Sequence, residues 1–191
     1  MSTKTSKDIP GEEKKYVKLV NIVISSDLKK DIPLEKMAAT LSNTEYNPEQ
    51  FPGLVLRIKE PKTTALLFSS GKIVLTGAKS LEEVKNGIQE IKNILKKINV
   101  EITIDPEYNI QNMVASGNIH MDLNLNSLAM KLERTEYEPE QFPGLVYKIG
   151  GKTNATFLLF SNGKIVCTGT KYEAQSHEAV KELIEQLKNL K

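Results

Sequence analysis

The segment TEYNPEQFPGLVLRI at residues 44–58 returns almost unchanged as TEYEPEQFPGLVYKI at residues 135–149. At this offset of 91, 19 of 38 positions are identical between residues 21–58 and 112–149. Further on, FSSGKIVLTG at residue 68 returns as FSNGKIVCTG at residue 160, an offset of 92, because one residue is inserted near Gly150-Gly151. The chain is therefore predicted to be a tandem duplication. Two long copies favour a pseudo-twofold molecule over a solenoid of short repeats.

Each copy carries strand and helix signals in the same order. In the first copy, strands are predicted at residues 18–25, 54–59, 64–69 and 72–76, with a short helix at 33–41 and a hairpin turn at Ser70-Gly71. Ser80 is predicted to cap a helix that ends near Ile98, and the second copy ends on a helix at 173–190. The fold class is α+β, with about five mostly antiparallel strands and two helices per copy. We divide the chain into a leader at 1–16, a first repeat at 17–98 and a second at 99–191.

Alternation along these strands places aliphatic side chains on both faces of the predicted sheet. One face is purely aliphatic and includes Val20, Ile22 and Leu56. The other face mixes apolar, hydrogen-bonding and cationic residues: Leu19, Asn21, Val23, Val55, Arg57, Leu66, Phe68, Lys72, Val74 and Thr76. Two helices per copy can cover only one face, so the second face is predicted to be an interaction surface.

The distribution of charge indicates a polyanionic partner, although the net charge is only +2. Residues 51–79 contain five cations and one acid, and residues 142–171 contain four cations and no acid. The remainder of the chain is correspondingly acidic. A basic segment in each copy is the electrostatic pattern expected of a nucleic-acid-binding surface.

Four duplicated phenylalanines complete this pattern. Phe51 and Phe142 lie in turns before Pro-Gly, where a core residue is not expected, and with Phe68 and Phe160 they form two pairs that each flank a basic strand. We interpret these four as apolar wedges that part base steps. Phe157 has no counterpart in the first copy and is assigned to the core.

No constellation of catalytic or metal-binding residues is found. The segment from Gly71 to Ser80 has the wrong glycine spacing for a phosphate-binding loop, and His120 and His177 have no ligand spacing. Cys167 aligns with a leucine, so it is predicted to be a core residue, and a single cysteine excludes a disulfide scaffold. We expect no enzymatic activity, no metal and no cofactor.

The start of the chain is polar and no segment is apolar enough to span a membrane, so we expect a soluble intracellular protein.

The duplicated motifs closely resemble those of the TATA-box-binding protein family, from about Tyr16 onward. The resemblance rests on Asn-Ile-Val and Asn-Met-Val, on the paired Glu-Tyr-x-Pro-Glu-x-Phe-Pro-Gly, on Glu-Pro-Lys-Thr-Thr-Ala-Leu and on Ser-Gly-Lys-Ile-Val-Leu-Thr-Gly-Ala-Lys. The short leader is more similar to archaeal members than to eukaryotic ones. The family implies a saddle, in which one curved antiparallel sheet of about ten strands binds the DNA minor groove and four helices cover its convex back.

The resemblance also implies a role for individual residues. DNA-intercalating residues would be Phe51, Phe68, Phe142 and Phe160. Base-contacting residues would be Asn21, Asn112, Thr76, Thr168, Val23, Val114, Val74, Val166, Leu66 and Leu158. Phosphate-binding residues would be Arg57, Lys72, Lys79, Lys148, Lys164 and Lys171.

The family implies partners beyond double-stranded DNA. Glu138 and Glu140, in the loop of the second copy, would bind transcription factor B, which acts with RNA polymerase. An archaeal protein of this kind would work in the cytoplasm on the nucleoid, and a eukaryotic one in the nucleus. The alternative from the residues alone is a protein-interaction module that forms homodimers through its apolar sheet face.

Overall fold

A computed structural model describes residues 16–190 of the chain. The leader expected at residues 1–16 therefore lies outside the described residues, except for Tyr16. That residue packs against the hydrophobic core of the second repeat, and its carbonyl accepts a hydrogen bond from the Asn118 amide at 3.1 Å. Tyr16 thus belongs to the folded part of the chain.

The two repeats have the same succession of elements. The first comprises β1 (Val17–Asp27), α1 (Leu34–Thr40), β2 (Thr44–Glu45), β3 (Leu54–Ile58), β4 (Thr63–Leu67), β5 (Lys72–Ala78) and α2 (Leu81–Lys97). The second comprises β6 (Tyr108–Asn118), α3 (Leu125–Lys131), β7 (Thr135–Glu136), β8 (Leu145–Lys148), β9 (Thr156–Leu159), β10 (Lys164–Thr170) and α4 (Glu173–Asn189).

All ten strands form one antiparallel sheet in the order β2-β3-β4-β5-β1-β6-β10-β9-β8-β7. This order is symmetric about the β1–β6 pair, so the pseudo-twofold axis passes between the two repeats. The predicted α+β saddle, with about ten strands and four helices, is confirmed. We call the face opposite the helices the concave face.

The long helix α2 begins where the sequence supplies a capping group, whereas α4 begins after Tyr172 with no side-chain cap. Ser80 accepts a hydrogen bond from the Glu83 amide through its side chain, and the acids of the first turn lie at the positive end of the helix dipole. The predicted cap at Ser80 is therefore confirmed. Buried residues at helical spacing, such as Val84, Ile88 and Ile91, hold α2 against the sheet.

The cores of the two repeats have diverged by compensating changes in side-chain size. Ala65 pairs with Leu75 across β4 and β5, whereas Phe157 pairs with Cys167 across β9 and β10. Both Phe157 and Cys167 are fully buried, as predicted from the sequence. A Cβ added to Gly87 would lie 2.7 Å from Leu75 Cδ2, so the larger Leu75 requires glycine in α2. The smaller Cys167 leaves room for an alanine at the equivalent position of α4.

Each core also recruits residues from the neighbouring repeat. Ile102 and Met113, from the second repeat as it was divided above, are buried in the core of the first. Val17, at the start of β1, is buried in the core of the second. The boundary between the repeats in sequence is therefore not a boundary between the cores.

One prediction of side-chain direction in β1 is wrong. Leu19 was expected on the open face and Val20 on the aliphatic face, but Leu19 packs against both cores and Val20 is in neither. The pairing of β1 with β6 shifts register between Leu19 and Asn21. A β-bulge adds one residue and so reverses the alternation on one side of it.

Within residues 16–190, none of the helices has the length and hydropathy needed to cross a membrane.

Candidate nucleic-acid interface

Cross-strand pairs organise the concave face into regular rows. In the first repeat, Val55, Leu66 and Val74 form one row across β3, β4 and β5. The second repeat repeats this row with Val146, Leu158 and Val166. All six side chains are half-buried, so each repeat presents an aliphatic strip to the outside. Contiguous apolar strips of this kind on a protein surface mark a binding site.

A second row on this face carries polar and cationic side chains. Arg57, Thr64 and Thr76 lie side by side in the first repeat, and Lys148, Thr156 and Thr168 take the same places in the second. Thr64 and Thr156 were missed by the sequence analysis, as were Val55 and Val146 as base-contacting candidates. Their alternation with buried neighbours was the signal that could have found them.

The predicted wedge residues form an aromatic pair at each end of the concave face. Phe51 and Phe68 meet edge to face with ring centroids 5.9 Å apart, and Phe142 and Phe160 do so at the same distance. Phe51 is 41% exposed and Phe142 is 40% exposed. Exposed aromatic rings of this kind are typical of surfaces that bind a partner.

Glycine makes each aromatic pair possible. A Cβ on Gly53 would lie 2.6 Å from Phe51 Cε1 and 3.1 Å from Phe68 Cε1. The corresponding distances at Gly144 are 2.7 Å to Phe142 and 3.0 Å to Phe160. Both rings of a pair therefore pack against the glycine backbone where a Cβ would otherwise lie, which explains the glycine of each Phe-Pro-Gly.

The two asparagines near the pseudo-twofold axis are held in one orientation. Asn21 Oδ1 accepts a hydrogen bond from the Gly77 amide at 2.7 Å, and Asn112 Oδ1 accepts one from the Gly169 amide at 3.0 Å. Since a backbone N–H can only donate, the oxygen and nitrogen of each amide are assigned by this contact. Each Nδ2 donates one hydrogen to a threonine hydroxyl, Thr76 in the first repeat.

A bulge at Gly77 aims that amide at Asn21. The register of β1 against β5 shifts between Ile22 and Ile24, so that Thr76 and Gly77 together oppose Val23. Gly77 has a φ of +96°, which is readily available only to glycine. With its oxygen accepting from the backbone and one Nδ2 hydrogen given to threonine, the asparagine keeps a second Nδ2 hydrogen for a ligand on the concave face.

The asparagines and valines predicted to contact bases are brought together at the centre. Asn21 is the cross-strand partner of Val114, and Val23 is the partner of Asn112. All four side chains are half-buried. The centre of the concave face therefore combines two amide donors with two apolar side chains.

The six predicted phosphate-binding residues are all exposed. Arg57 makes a short ion pair with Glu45, so its charge is already partly neutralised. Lys148 replaces Arg57 in the second repeat, and within the described residues it has no ion pair.

Lys18 was missed by the sequence analysis. It is the cross-strand partner of Ser116 and lines a cleft with Phe160 and Lys164.

The predicted partner-binding residues lie beside one wedge. Glu138 and Glu140 are exposed in the loop that joins β7 to β8. The Glu138 carbonyl accepts the Phe142 amide at 3.0 Å, so the loop fixes the wedge while its carboxylates face outward from the chain's core. This loop therefore presents negative charge next to the end of the concave face.

The cysteine and the histidine of α4 do not form a cluster with other catalytic or metal-ligating side chains within the described residues. Burial raises the pKa of the Cys167 thiol to about 12, which keeps it neutral. His177 lies 3.6 Å from Glu173 on the same helix. Among the residues that the structure describes, no group of three or more His, Cys, Asp or Glu side chains is placed to hold a metal ion.

Comparison with known proteins gives a consistent result. The family model described as transcription factor TFIID, or TATA-binding protein, matches residues 16–98 and 107–190. A TATA-box-binding protein of Thermococcus kodakarensis is 47% identical over 171 residues, which is 90% of each chain. One from Archaeoglobus fulgidus is 44% identical over 176 residues, covering 91% of this chain and 96% of its own.

Similarity extends to a solved structure. The chain matches the Methanococcus jannaschii TBP with a TM-score of 0.84 at 44% sequence identity, over 92% of this chain and 99% of that one. The similarity therefore covers both repeats and the complete sheet.

Proposed function

Since the chain belongs to the TATA-binding protein family of transcription factors, we propose that it binds the minor groove of the A/T-rich TATA box and bends the DNA with its phenylalanine wedges. In this role it would nucleate a preinitiation complex with transcription factor B and RNA polymerase. The observation that carries the proposal is the concave face itself, where exposed aromatic pairs flank a centre that combines two oriented amide donors with aliphatic side chains.

The centre of the face has the chemistry required to select A·T pairs. The A·T minor groove displays only acceptors, adenine N3 and thymine O2, which match the outward N–H groups of Asn21 and Asn112. A G·C pair adds the guanine amino group, which is a donor. That group would face another donor or the aliphatic strips, and in both cases it would lose its hydrogen bonds to water.

The wedges have the geometry required to open base steps. Phe51 and Phe142 project from opposite ends of the sheet and each is backed by a second ring. Apolar wedges in the minor groove unstack a step at a cost of a few kcal/mol, and the bent DNA then covers more protein surface. Pyrimidine–purine steps such as TA unstack most easily, which adds selectivity that needs no base contact.

Charge supports the proposal without dominating it. The exposed cations Lys72, Lys79, Lys164 and Lys171 flank the apolar face in matched positions of the two repeats. Neutralising about six phosphates would give a salt slope of roughly −5 in a plot of log K against log [salt]. Affinity then rests on apolar contact and groove deformation as well as on phosphate neutralisation.

Glu138 and Glu140 support the proposed contact with transcription factor B. They form an exposed acidic loop beside the wedge at one end of the face, where a DNA-bound partner could reach both protein and DNA. The first repeat offers a similar loop with Glu49, so the partner rather than the DNA contacts would set the direction of binding. Such a function would place the chain at the nucleoid.

The proposed function is tested with three short duplexes that differ in one feature. The first contains TATAAA, the second replaces its A·T pairs with G·C, and the third uses inosine·C, which lacks the guanine amino group. We expect the first and third to bind alike and the second to bind at least tenfold more weakly. Fluorescence transfer between the duplex ends should rise on binding. Equal affinity for all three, or an unchanged end-to-end distance, would exclude minor-groove readout with bending.

Self-association is a second property that the concave face favours. Without DNA, the aliphatic strips and wedge residues are open to solvent, and a second copy could cover them. We propose a homodimer as a state that competes with DNA binding. Sedimentation that shows only monomer at micromolar concentration would exclude it, and added TATAAA duplex should dissociate any dimer.

A further inference from the structure

The second repeat has an apolar groove on the helical side of the sheet. It lies between α3, the C-terminal end of α4 and the loop before α3, and has a volume of about 190 Å³. Its apolar lining comprises Met121, Leu123, Leu128, Leu187 and Leu190. None of these residues belongs to the concave face, so the proposed DNA interface does not account for the groove.

The equivalent groove of the first repeat is filled by the chain itself. Residues 98–102 leave α2 and run along it, and Val100 and Ile102 are buried there. The Val100 amide donates to the Leu95 carbonyl at 2.9 Å, and Lys36 Nζ donates to the Ile98 carbonyl at 2.9 Å. Leu95 and Ile98 correspond through the repeat to two residues that line the second groove, Leu187 and Leu190. The first repeat therefore shows which kind of segment such a groove accepts.

The second groove gains apolar side chains at two positions relative to its counterpart, while Lys131 replaces Thr40 and donates to the Leu190 carbonyl at 3.2 Å. Lys30, which donates to the Glu101 carbonyl at 3.0 Å, is replaced by Met121. Ala39 of α1 is replaced in α3 by Met130, which is 87% exposed. Met130 lies on α3 two residues from the groove-lining Leu128, and an exposed methionine is typical of surfaces that adapt to a bound apolar segment.

We propose that this groove binds an extended segment of a partner protein with aliphatic side chains at alternate positions, as Val100 and Ile102 are in the first repeat. Residues 1–15 of this chain do not fit that description, since Ile9 is their only aliphatic residue and the others are mostly polar or charged. The occupant is therefore expected from another protein. The site is separate from the concave face, so it would stay accessible when DNA is bound.

The probe is a synthetic peptide with the sequence of residues 98–105, INVEITID, added to the full-length chain with labelled methyl groups. We expect saturable shifts of the Met121, Leu128 and Met130 methyl resonances. A peptide in which the valine and the second isoleucine are replaced by Asp should cause none. M121E, which places a carboxylate where Lys30 of the first repeat donates to the Glu101 carbonyl, should weaken binding at least tenfold, while L81E on α2 should leave it unchanged.

Binding to the TATAAA duplex serves as the folding control for both variants, because neither residue lies on the concave face. Absence of saturable shifts at millimolar peptide would overturn the proposal. So would shifts confined to the first repeat, which would mean that the peptide only displaces residues 98–102. Shifts of the groove methyls on deletion of residues 2–11, or on dilution without peptide, would identify the leader or a second copy as the occupant and would also overturn it.

Discussion

Truncating one wedge, Phe51→Ala, should weaken DNA binding by an amount that follows from its exposure. An aromatic side chain buries roughly 200 Å² when fully enclosed. Phe51 is 41% exposed in the free chain, so intercalation would bury about 80 Å² more. At about 25 cal/mol per Å² this is worth about 2 kcal/mol, or a roughly 30-fold increase in Kd. We expect the same result for Phe142→Ala, since that residue is 40% exposed.

The assay measures both affinity and bending for one duplex with a fluorophore at each end. Leu81→Ala is the matched control, because Leu81 is an apolar residue of 44% exposure that lies at the start of α2. Thermal unfolding of each variant corrects for the loss of the aromatic pair, which contributes about 0.5–1.5 kcal/mol. If Phe51→Ala has the same Kd for the duplex as Leu81→Ala and bends the duplex like the unmodified chain, the wedge mechanism is refuted.

Four further predictions address the rest of the interface and the core. Lys72→Ala should reduce the salt slope by about 0.9 without changing bending, and an unchanged slope would exclude a phosphate contact. Asn21→Asp should keep the bond from the backbone amide but lose the donor, weakening TATAAA binding at least tenfold, whereas Asn126→Asp on the exposed side of α3 should have little effect. Gly144→Ala should displace both rings of its wedge and reduce affinity with little change in melting temperature; wild-type affinity would show that the rings can shift freely. Cys167 should resist alkylation at pH 8 until the chain unfolds. Because its folded pKa of about 12 exceeds the ordinary 9.0, its contribution to stability should be present below pH 9 and lost between pH 9 and 12, which unfolding titrations at several pH values would detect.

Duplication made much of this molecule predictable from its sequence. Two copies of one pattern supplied two independent observations of each strand, so the succession of elements, the cap at Ser80 and the buried Cys167 were predicted correctly. The exposed turn positions of Phe51 and Phe142 were also predicted, because a residue before Pro-Gly is rarely part of a core. These features are local, and local patterns are what a sequence displays directly.

Features that depend on pairing between distant strands were not predictable. Leu19 was placed on the wrong face because the bulge that follows it exists only through the register of β1 against β6. The fixed orientation of Asn21 depends on an amide 56 residues away. The ion pair of Arg57 with Glu45 requires β2 and β3 to be neighbours. Neither alternation nor composition carries this information.

The exchange of core residues across the pseudo-twofold axis has a consequence for how the chain folds during synthesis. The first repeat cannot close its core until Ile102 and Met113 have left the ribosome, and the second cannot do so without Val17 from the start of the chain. Neither half is then a domain that matures by itself, and the two should melt in a single calorimetric transition. A nascent chain arrested after α2 would therefore be open to proteases, and resistance should appear only once β6 has been translated.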